Sequence, residues 1–414
     1  MLEIPVVLEY KNHEERGDII ARVQDALGHL PSSIALALWA VWGSRGIGKT
    51  TLLQILQTRL RADTSVNVLG LWDLDQVDAY RFGKHLFDLL TQNADSRKKV
   101  VLLDNIDALL RDNEGAAFFD FEHDVIRVLL ERNDTLIITT SRSQLRQWRE
   151  PEVTARLAAY QLRALSVDQI HQVANEINFS AEQIYATTLG HPQAIRWLRD
   201  NPDLSASEIA QKAQTYFFAG LSEAANEFAQ LCSSTFIFDI AVLRKILAQT
   251  QNDNGAGSYA AFLEHIRELM RVGLVFWDVE SGFYRFADNA VRQLCARAFQ
   301  HQDPARFLAI HSIAATHYQT EAQRVTFLHS SFPSAIYHLA SAVSSTAEAR
   351  TRCLQWVREN ISNWIGADWD KVLEWWETGV GDPTIVQEIQ QLIGMETFTQ
   401  VSQLLKDARE GVLR

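Results

Sequence analysis
The chain has 414 residues, 47% of them hydrophobic and 22% charged, with a formal net charge of -12. That composition fits a globular protein of several domains and excludes a disordered or collagen-like chain. An acidic surface repels phosphate backbones, so nucleic acid is not the expected partner.

In chain order, Glu14 to Leu30 reads as a helix with Ile19, Ile20, Val23 and Leu27 on one face. Ile34 to Trp42 is the longest apolar run, too short to cross a bilayer, and it reads as a buried strand. A glycine-rich turn and a helix from Thr50 to Arg61 follow. Strands are predicted at Val66 to Trp72, Val100 to Asp104 and Thr135 to Thr140, and helices at Tyr80 to Leu90 and Phe121 to Leu130. Apolar strands alternating with helices predict an α/β fold, a parallel sheet with helices on both faces. Arg156 to Asn201 reads mostly helical. Helices at Glu223 to Cys232, Ile240 to Gln249 and Tyr259 to Val272, then a hairpin of Leu274 to Val279 and Phe283 to Phe286, form a winged-helix pattern. A polar loop, Asn252 to Ser258, separates the second and third helices. From Pro304 onward the chain reads helical, with starts at Pro304, Pro333, Ala347, Trp369 and Pro383. The expected domains are 1–150 for nucleotide binding, 151–218 small and helical, 219–300 winged helix, and 301–414 helical. Cys232, Cys295 and Cys353 lack metal-type spacing, which predicts buried thiols in a reducing compartment. With no basic leader at Met1 to Tyr10, the expected location is cytoplasmic with no membrane partner.

Gly43-Ser44-Arg45-Gly46-Ile47-Gly48-Lys49-Thr50 fits the P-loop rule of Gly, four residues, Gly-Lys-Thr. A polyphosphate needs many donors in a small volume, and the backbone N–H groups from Ser44 to Lys49 would supply them as an anion nest at a helix start. Lys49 is expected on the β- and γ-phosphates of ATP or ADP, and the Thr50 hydroxyl on Mg²⁺. Asp104 ends an apolar strand, where it would hold Mg²⁺ through water. Asn105 follows it where many P-loop ATPases place an acid to orient or deprotonate the attacking water. An amide cannot take that proton, so slow hydrolysis is expected; Asp107 is either an alternative acid or a helix cap. Arg142, closing the strand Thr139-Thr140-Ser141-Arg142, is a candidate reader of the γ-phosphate.

Across Tyr10 to Arg297 the order of motifs resembles STAND-class P-loop NTPases, signal-transducing relatives of AAA+ proteins that include NB-ARC and NACHT proteins. Tyr10-Lys11-Asn12-His13-Glu14-Glu15 resembles the motif that packs by adenine, with Asn12 as the matching residue and His13 in place of arginine. Gly43 to Thr51 is similar to the Walker A loop, so Thr51 joins the nucleotide-binding set, and Leu102-Leu103-Asp104-Asn105 is similar to Walker B without its second acid. Gly190-His191-Pro192 resembles a Gly-x-Pro motif whose proline, here Pro192, packs on adenine. Tyr284 to Asp288 resembles the region carrying Met-His-Asp, with Ala287 in the histidine position. The resemblance implies a nucleotide- and trigger-dependent switch that changes conformation or oligomerises to control a partner effector in signalling or defence. An unidentified trigger or effector protein and homo- or hetero-oligomers are the partners it implies.

The alternative is an AAA+ ATPase of the origin-recognition type that binds DNA through its winged helix. The Asp-x-x-Asp spacing of Asp104 and Asp107 resembles that group, while Arg267 and Arg271 face Glu264 and Glu268 on the third helix. A metabolic ATPase or kinase would need a second acid–base cluster, and none is visible. His311 and His317, six apart, fall on different helix faces and form no metal pair. Trp356, Trp364, Trp369, Trp375 and Trp376 read as helix packing, with a partner surface as the sharper alternative.

Overall fold
The computed structural model describes residues 14–30, 36–92, 96–110, 115–173, 179–250, 259–279, 281–379 and 382–412. Asn12, His13 and the loop Asn252 to Ser258 lie outside the described residues. The chain divides into two compact units, the first of residues 1–209 with 271–274, the second of residues 210–270 with 275–414.

The first unit opens with α1 (Glu14–His29), β1 (Leu38–Trp42), α2 (Lys49–Arg61), β2 (Val66–Asp73), α3 (Ala79–Gln92) and β3 (Lys98–Asp104). A 3₁₀ turn, Ile106–Leu110, leads to α4 (Ala116–Phe121), which runs through a π-helical stretch, Glu122–Arg127, into α5 (Val128–Glu131). Then come β4 (Thr135–Ser141), α6 (Pro151–Thr154), β5 (Leu157–Gln161), α7 (Val167–Val173), α8 (Ala181–Thr188) and α9 (Pro192–Asp200). The five strands form one parallel sheet in the order β2-β3-β4-β1-β5. β1 and β4 are buried at every position, as strands covered on both faces must be. Leu52, Leu53 and Leu56 of α2 and Phe82, Leu86 and Leu90 of α3 pack with them in one core.

β5 is a correction: Leu157 to Gln161 was expected to be helical. At the sheet edge Ala158 is buried, Ala159 exposed and the other three half-buried, and the strand is in register with β1 from Leu38–Leu157 to Trp42–Gln161. The expected single helix Phe121 to Leu130 is also divided, by the π stretch. There the buried Glu122 carboxylate accepts from the backbone N–H of Arg149 at 2.8 Å and of Glu150 at 3.0 Å, tying the stretch to the segment after β4.

α10 (Ala206–Phe217) crosses into the second unit, whose winged-helix pattern comprises α11 (Glu223–Ser233), α12 (Ile240–Thr250), α13 (Tyr259–Arg271) and the antiparallel pair β6 (Val275–Asp278) and β7 (Phe283–Phe286). Phe238 exchanges two backbone hydrogen bonds of 2.9 Å with Tyr284, adding a third rung to the hairpin. The rest is helical: α14 (Asn289–Gln302), α15 (Pro304–Ala322), α16 (Leu328–Ser341), α17 (Thr346–Asn360), α18 (Trp369–Thr378), α19 (Pro383–Ile393) and α20 (Met395–Arg409). Pro333 lies inside α16 instead of opening it; its missing N–H falls at the second turn of the helix. Asp288 caps α14, accepting from Ala290 N at 2.9 Å. Four of the C-terminal tryptophans pack inward: Trp356, Trp364 and Trp376 are buried around Phe332, Trp375 is buried against His329, and Trp376 stacks on Phe398 and donates to Ser402 Oγ at 2.8 Å.

The buried polar groups of this unit are organised around Arg292. Its guanidinium is ion-paired with Glu388, donates to Tyr337 Oη at 3.0 Å and to the Ser233 carbonyl at 3.1 Å, and its Nε donates to Asn289 Oδ1 at 2.7 Å. Next to it, His311 and His338 face each other with Nδ1 atoms 2.9 Å apart. Burial, with Arg292 nearby, pushes His311 down to about 3 and His338 well below the usual imidazole range, so both are neutral in the fold. An unfolded chain takes up these protons below about pH 6.5, whereas the folded chain does not. The stabilising difference is therefore intact above pH 6.5 and lost as pH falls towards 3, by up to about 1.4 kcal/mol per pH unit for each histidine. Denaturant unfolding at pH 7 and pH 5 is expected to show this slope, and the variant carrying both His311→Leu and His338→Leu is expected to lose it, whatever its absolute stability.

Candidate nucleotide site
The P-loop leaves the carboxyl end of β1, the edge of a parallel sheet at which ligands bind. Ser44, Ile47 and Lys49 are buried, Gly46 and Gly48 half-buried, Arg45 and Thr50 exposed, and Thr51 half-buried in the first turn of α2. Gly46 and Gly48 have φ of +78° and +100°, the left-handed region that a side chain disfavours. A Cβ on Gly46 would also lie 2.8 Å from Gln193 Cβ, so the close packing of α9 on the loop needs glycine there. The Lys49 ammonium donates to the carbonyls of Gly43 at 2.7 Å and Ser44 at 2.9 Å, which holds its charge inside the curl of the loop.

Asp104 ends β3 and is 4% exposed. Its Oδ2 accepts from the Thr50 hydroxyl at 2.5 Å, while Oδ1 accepts from the Thr140 hydroxyl and from Asn105 N at 3.2 Å. The P-loop helix, β3 and β4 thus converge on one carboxylate. Thr50 and Asp104 supply hard, neighbouring oxygens at the mouth of an anion cradle, the donor set that suits Mg²⁺. Asn105 adopts φ of +56°, a conformation that asparagine tolerates better than most residues. Its side chain turns towards β2, where Nδ2 donates to Asp73 Oδ1 at 2.9 Å.

Arg142 follows β4 and pairs with Asp107 in the 3₁₀ turn: its N–H reaches Asp107 Oδ1 at 3.3 Å and its Nε lies 3.8 Å from Oδ2. The two residues considered separately in the sequence are partners. From the Gly190-His191-Pro192 motif it is His191 that reaches the P-loop. Fully buried, it accepts from Gln193 N through Nδ1 at 3.3 Å, which leaves Nε2 to donate to Ser44 Oγ at 3.2 Å. Pro192 is buried as the first residue of α9. Sequence reasoning passed over three members of the site: Thr140, His191 and Asp73. Thr140 and His191 stood inside motifs that had been singled out for other residues. Asp73 carried no signal, falling one residue past the strand expected at Val66 to Trp72.

Residues 39–145 match the family model described as ATPase family associated with various cellular activities (AAA). No curated protein matches the sequence. Among solved structures, the chain is similar to the Aeropyrum pernix ORC2 protein in ADPNP–ADP complexes, at 14% identity and a TM-score of 0.40 over 71% of this chain and 96% of that one. It is similar to the Aeropyrum pernix ORC1 protein in complex with DNA at 14% identity and 0.38, over 73% and 95%. It is also similar to the replication initiator DnaA bound to AMPPCP and single-stranded DNA at 16% identity and 0.36, over 77% and 92%.

Two expectations are corrected. The STAND-type signalling switch gives way, because the family model that matches residues 39–145 is the AAA model. The exclusion of nucleic acid, drawn from net charge alone, is dropped too. Net charge is a property of the whole surface and does not describe a single face of one domain. Among the described residues, no helix is long and apolar enough to cross a membrane.

Lys49→Ala is expected to weaken binding of a fluorescent ATP analogue by well over tenfold, since it removes a side-chain cation held inside the cradle. Equilibrium titration followed by fluorescence checks this, with the unfolding midpoint as the control for folding.

Proposed function
We propose that this chain is an AAA+ ATPase of the origin-recognition type, which binds Mg·ATP at its P-loop and engages DNA through its winged-helix segment, residues 219–300. The reading takes up the alternative left open by the sequence. Its nucleotide half rests on one observation, the Thr50–Asp104 hydrogen bond at the mouth of the P-loop within an AAA-type domain. Thr50 and Asp104 would hold Mg²⁺, which when bound neutralises charge on the β- and γ-phosphates. The backbone N–H groups of Ser44 to Lys49 cradle the phosphates, and the Lys49 ammonium draws on the β- and γ-oxygens. Thr140 keeps the Asp104 carboxylate aimed at the ion. Arg142, held by Asp107, would turn to the γ-phosphate as charge develops there.

The DNA half is supported by the outer face of the winged-helix segment. Tyr259 and Arg267 on α13 are exposed, and Trp277 on β6 is 40% exposed. An exposed arginine and exposed aromatic rings on one segment suit a phosphate backbone with stacking or sugar contacts. Glu268, which the sequence sets against Arg267, is drawn to the start of α11, where it accepts from Ser222 N at 2.6 Å and Ser222 Oγ at 2.9 Å.

The test is fluorescence anisotropy with a labelled duplex, with ATP or ADP present, across a salt series. Binding that weakens linearly on a log–log salt plot is expected, and Arg267→Glu should reduce the slope by about 1 for a lost phosphate contact. No binding to duplex or single-stranded DNA at low salt with either nucleotide would overturn the DNA half.

A further inference from the structure
The P-loop site holds a carboxylate that its motifs do not announce. Asp73 ends β2 and is the register partner of Asp104 on β3. Register partners on neighbouring parallel strands lie about 4.8 Å apart and point to the same face. Both carboxylates therefore stand on one side of the sheet, at the carboxyl edge where the P-loop opens. Thr50 fixes Asp104 to the P-loop, so Asp73 lies one strand further from the loop.

The polar groups around Asp73 are arranged unequally. Asn105 Nδ2 donates to its Oδ1 at 2.9 Å and Asp75 N donates to the same oxygen at 3.1 Å. Oδ2 accepts no hydrogen bond among the described residues, and the side chain is half-buried, within reach of water. The left-handed backbone at Asn105 is what aims its amide at β2. Local strain of this kind persists where the surroundings hold it in place, and it clusters at sites of chemistry.

We propose that Asp73 is the carboxylate that takes the proton of the attacking water, with Asn105 as its positioning partner. This rests on the reading of the site as an ATP site. The P-loop wraps the β-phosphate, so in-line attack on the γ-phosphorus comes from the side away from the loop. That is the side of β2. Water oxygen bonds to the γ-phosphorus, the bond from that phosphorus to the β,γ-bridging oxygen breaks, and the water proton passes to Asp73 Oδ2. ADP leaves with the bridging oxygen, and the proton returns to solvent. The acid missing after Asp104 is supplied from the neighbouring strand, and Asn105 holds it in place through its amide.

The test compares wild type, Asp73→Asn, and the exchange variant carrying Asp73→Asn with Asn105→Asp. Turnover of Mg·ATP, affinity for a fluorescent ATP analogue and the unfolding midpoint are measured on the full chain. Asp73→Asn should lower turnover by about 100-fold or more, the range of general-base effects, with affinity unchanged within about threefold. The exchange variant should recover to within about tenfold of wild type, because it restores a carboxylate hydrogen-bonded to an amide. Turnover of Asp73→Asn within about twofold of wild type would overturn the proposal. Parallel loss of affinity, an exchange variant no more active than Asp73→Asn, or a wild type that binds ATP without hydrolysing it would also overturn it. A wild type that binds no nucleotide would instead remove the reading of the site itself.

Discussion

One buried carboxylate sets the terms for the first unit. Asp104 is almost wholly removed from water, and an ionised group in that position must be met by donors or it becomes costly. The donors come from three places: the Thr50 hydroxyl on the P-loop helix, the Thr140 hydroxyl on the next strand, and the backbone of Asn105. Satisfying Asp104 therefore fixes α2 against β3 and β3 against β4 at the end of the sheet where ligands bind. The P-loop, Arg142 and the turned-over Asn105 take their places from that arrangement. The same requirement keeps the apolar strands in register, because a slip of one residue would carry Asp104 to the opposite face.

The second unit meets a similar demand differently. Arg292, Tyr337, Glu388 and Asn289 satisfy one another, with the Ser233 carbonyl taking a further donor. Charge in this interior is paired, and the two histidines beside it give up theirs. Around that polar centre the helices close with aromatic groups, Trp364 and Trp376 against Phe332. The three cysteines are buried and free, with burial pushing Cys353 up to about 12.

Much of the sheet was legible because β1 and the middles of β3 and β4 are short apolar runs, which suit strands covered on both faces. β5 was not, since Leu157-Ala-Ala-Tyr-Gln161 holds two alanines and a glutamine at an edge, which helix and strand accept about equally. The π stretch and the continuation of α16 through Pro333 were hidden for another reason: both depend on tertiary contacts that override local preference. At the site, the P-loop and Asp104 carry their chemistry in sequence. Asp73 lies 31 positions before Asp104, and only strand register brings the two side by side. His191 was visible as a residue, but its partner Ser44 lies 147 positions away. The STAND expectation failed because motif order is shared among P-loop relatives, whereas function lies in what is attached to the fold.

The Arg292 guanidinium has a consequence for how the C-terminal helices can age under mutation. Its planar fork spans α14, a carbonyl at the end of α11, the Tyr337 hydroxyl on α16 and the carboxylate on α19. A lysine at that position would keep the charge but present a single tetrahedral head, leaving the phenol or the carbonyl unmatched. Helices joined by leucines alone can glide past one another with small loss. These four cannot, because any glide of a few ångströms strands a polar atom in a dry interior. The alignment of the bundle is thus held by directional bonds, and its evolutionary freedom is confined to the greasy contacts around them.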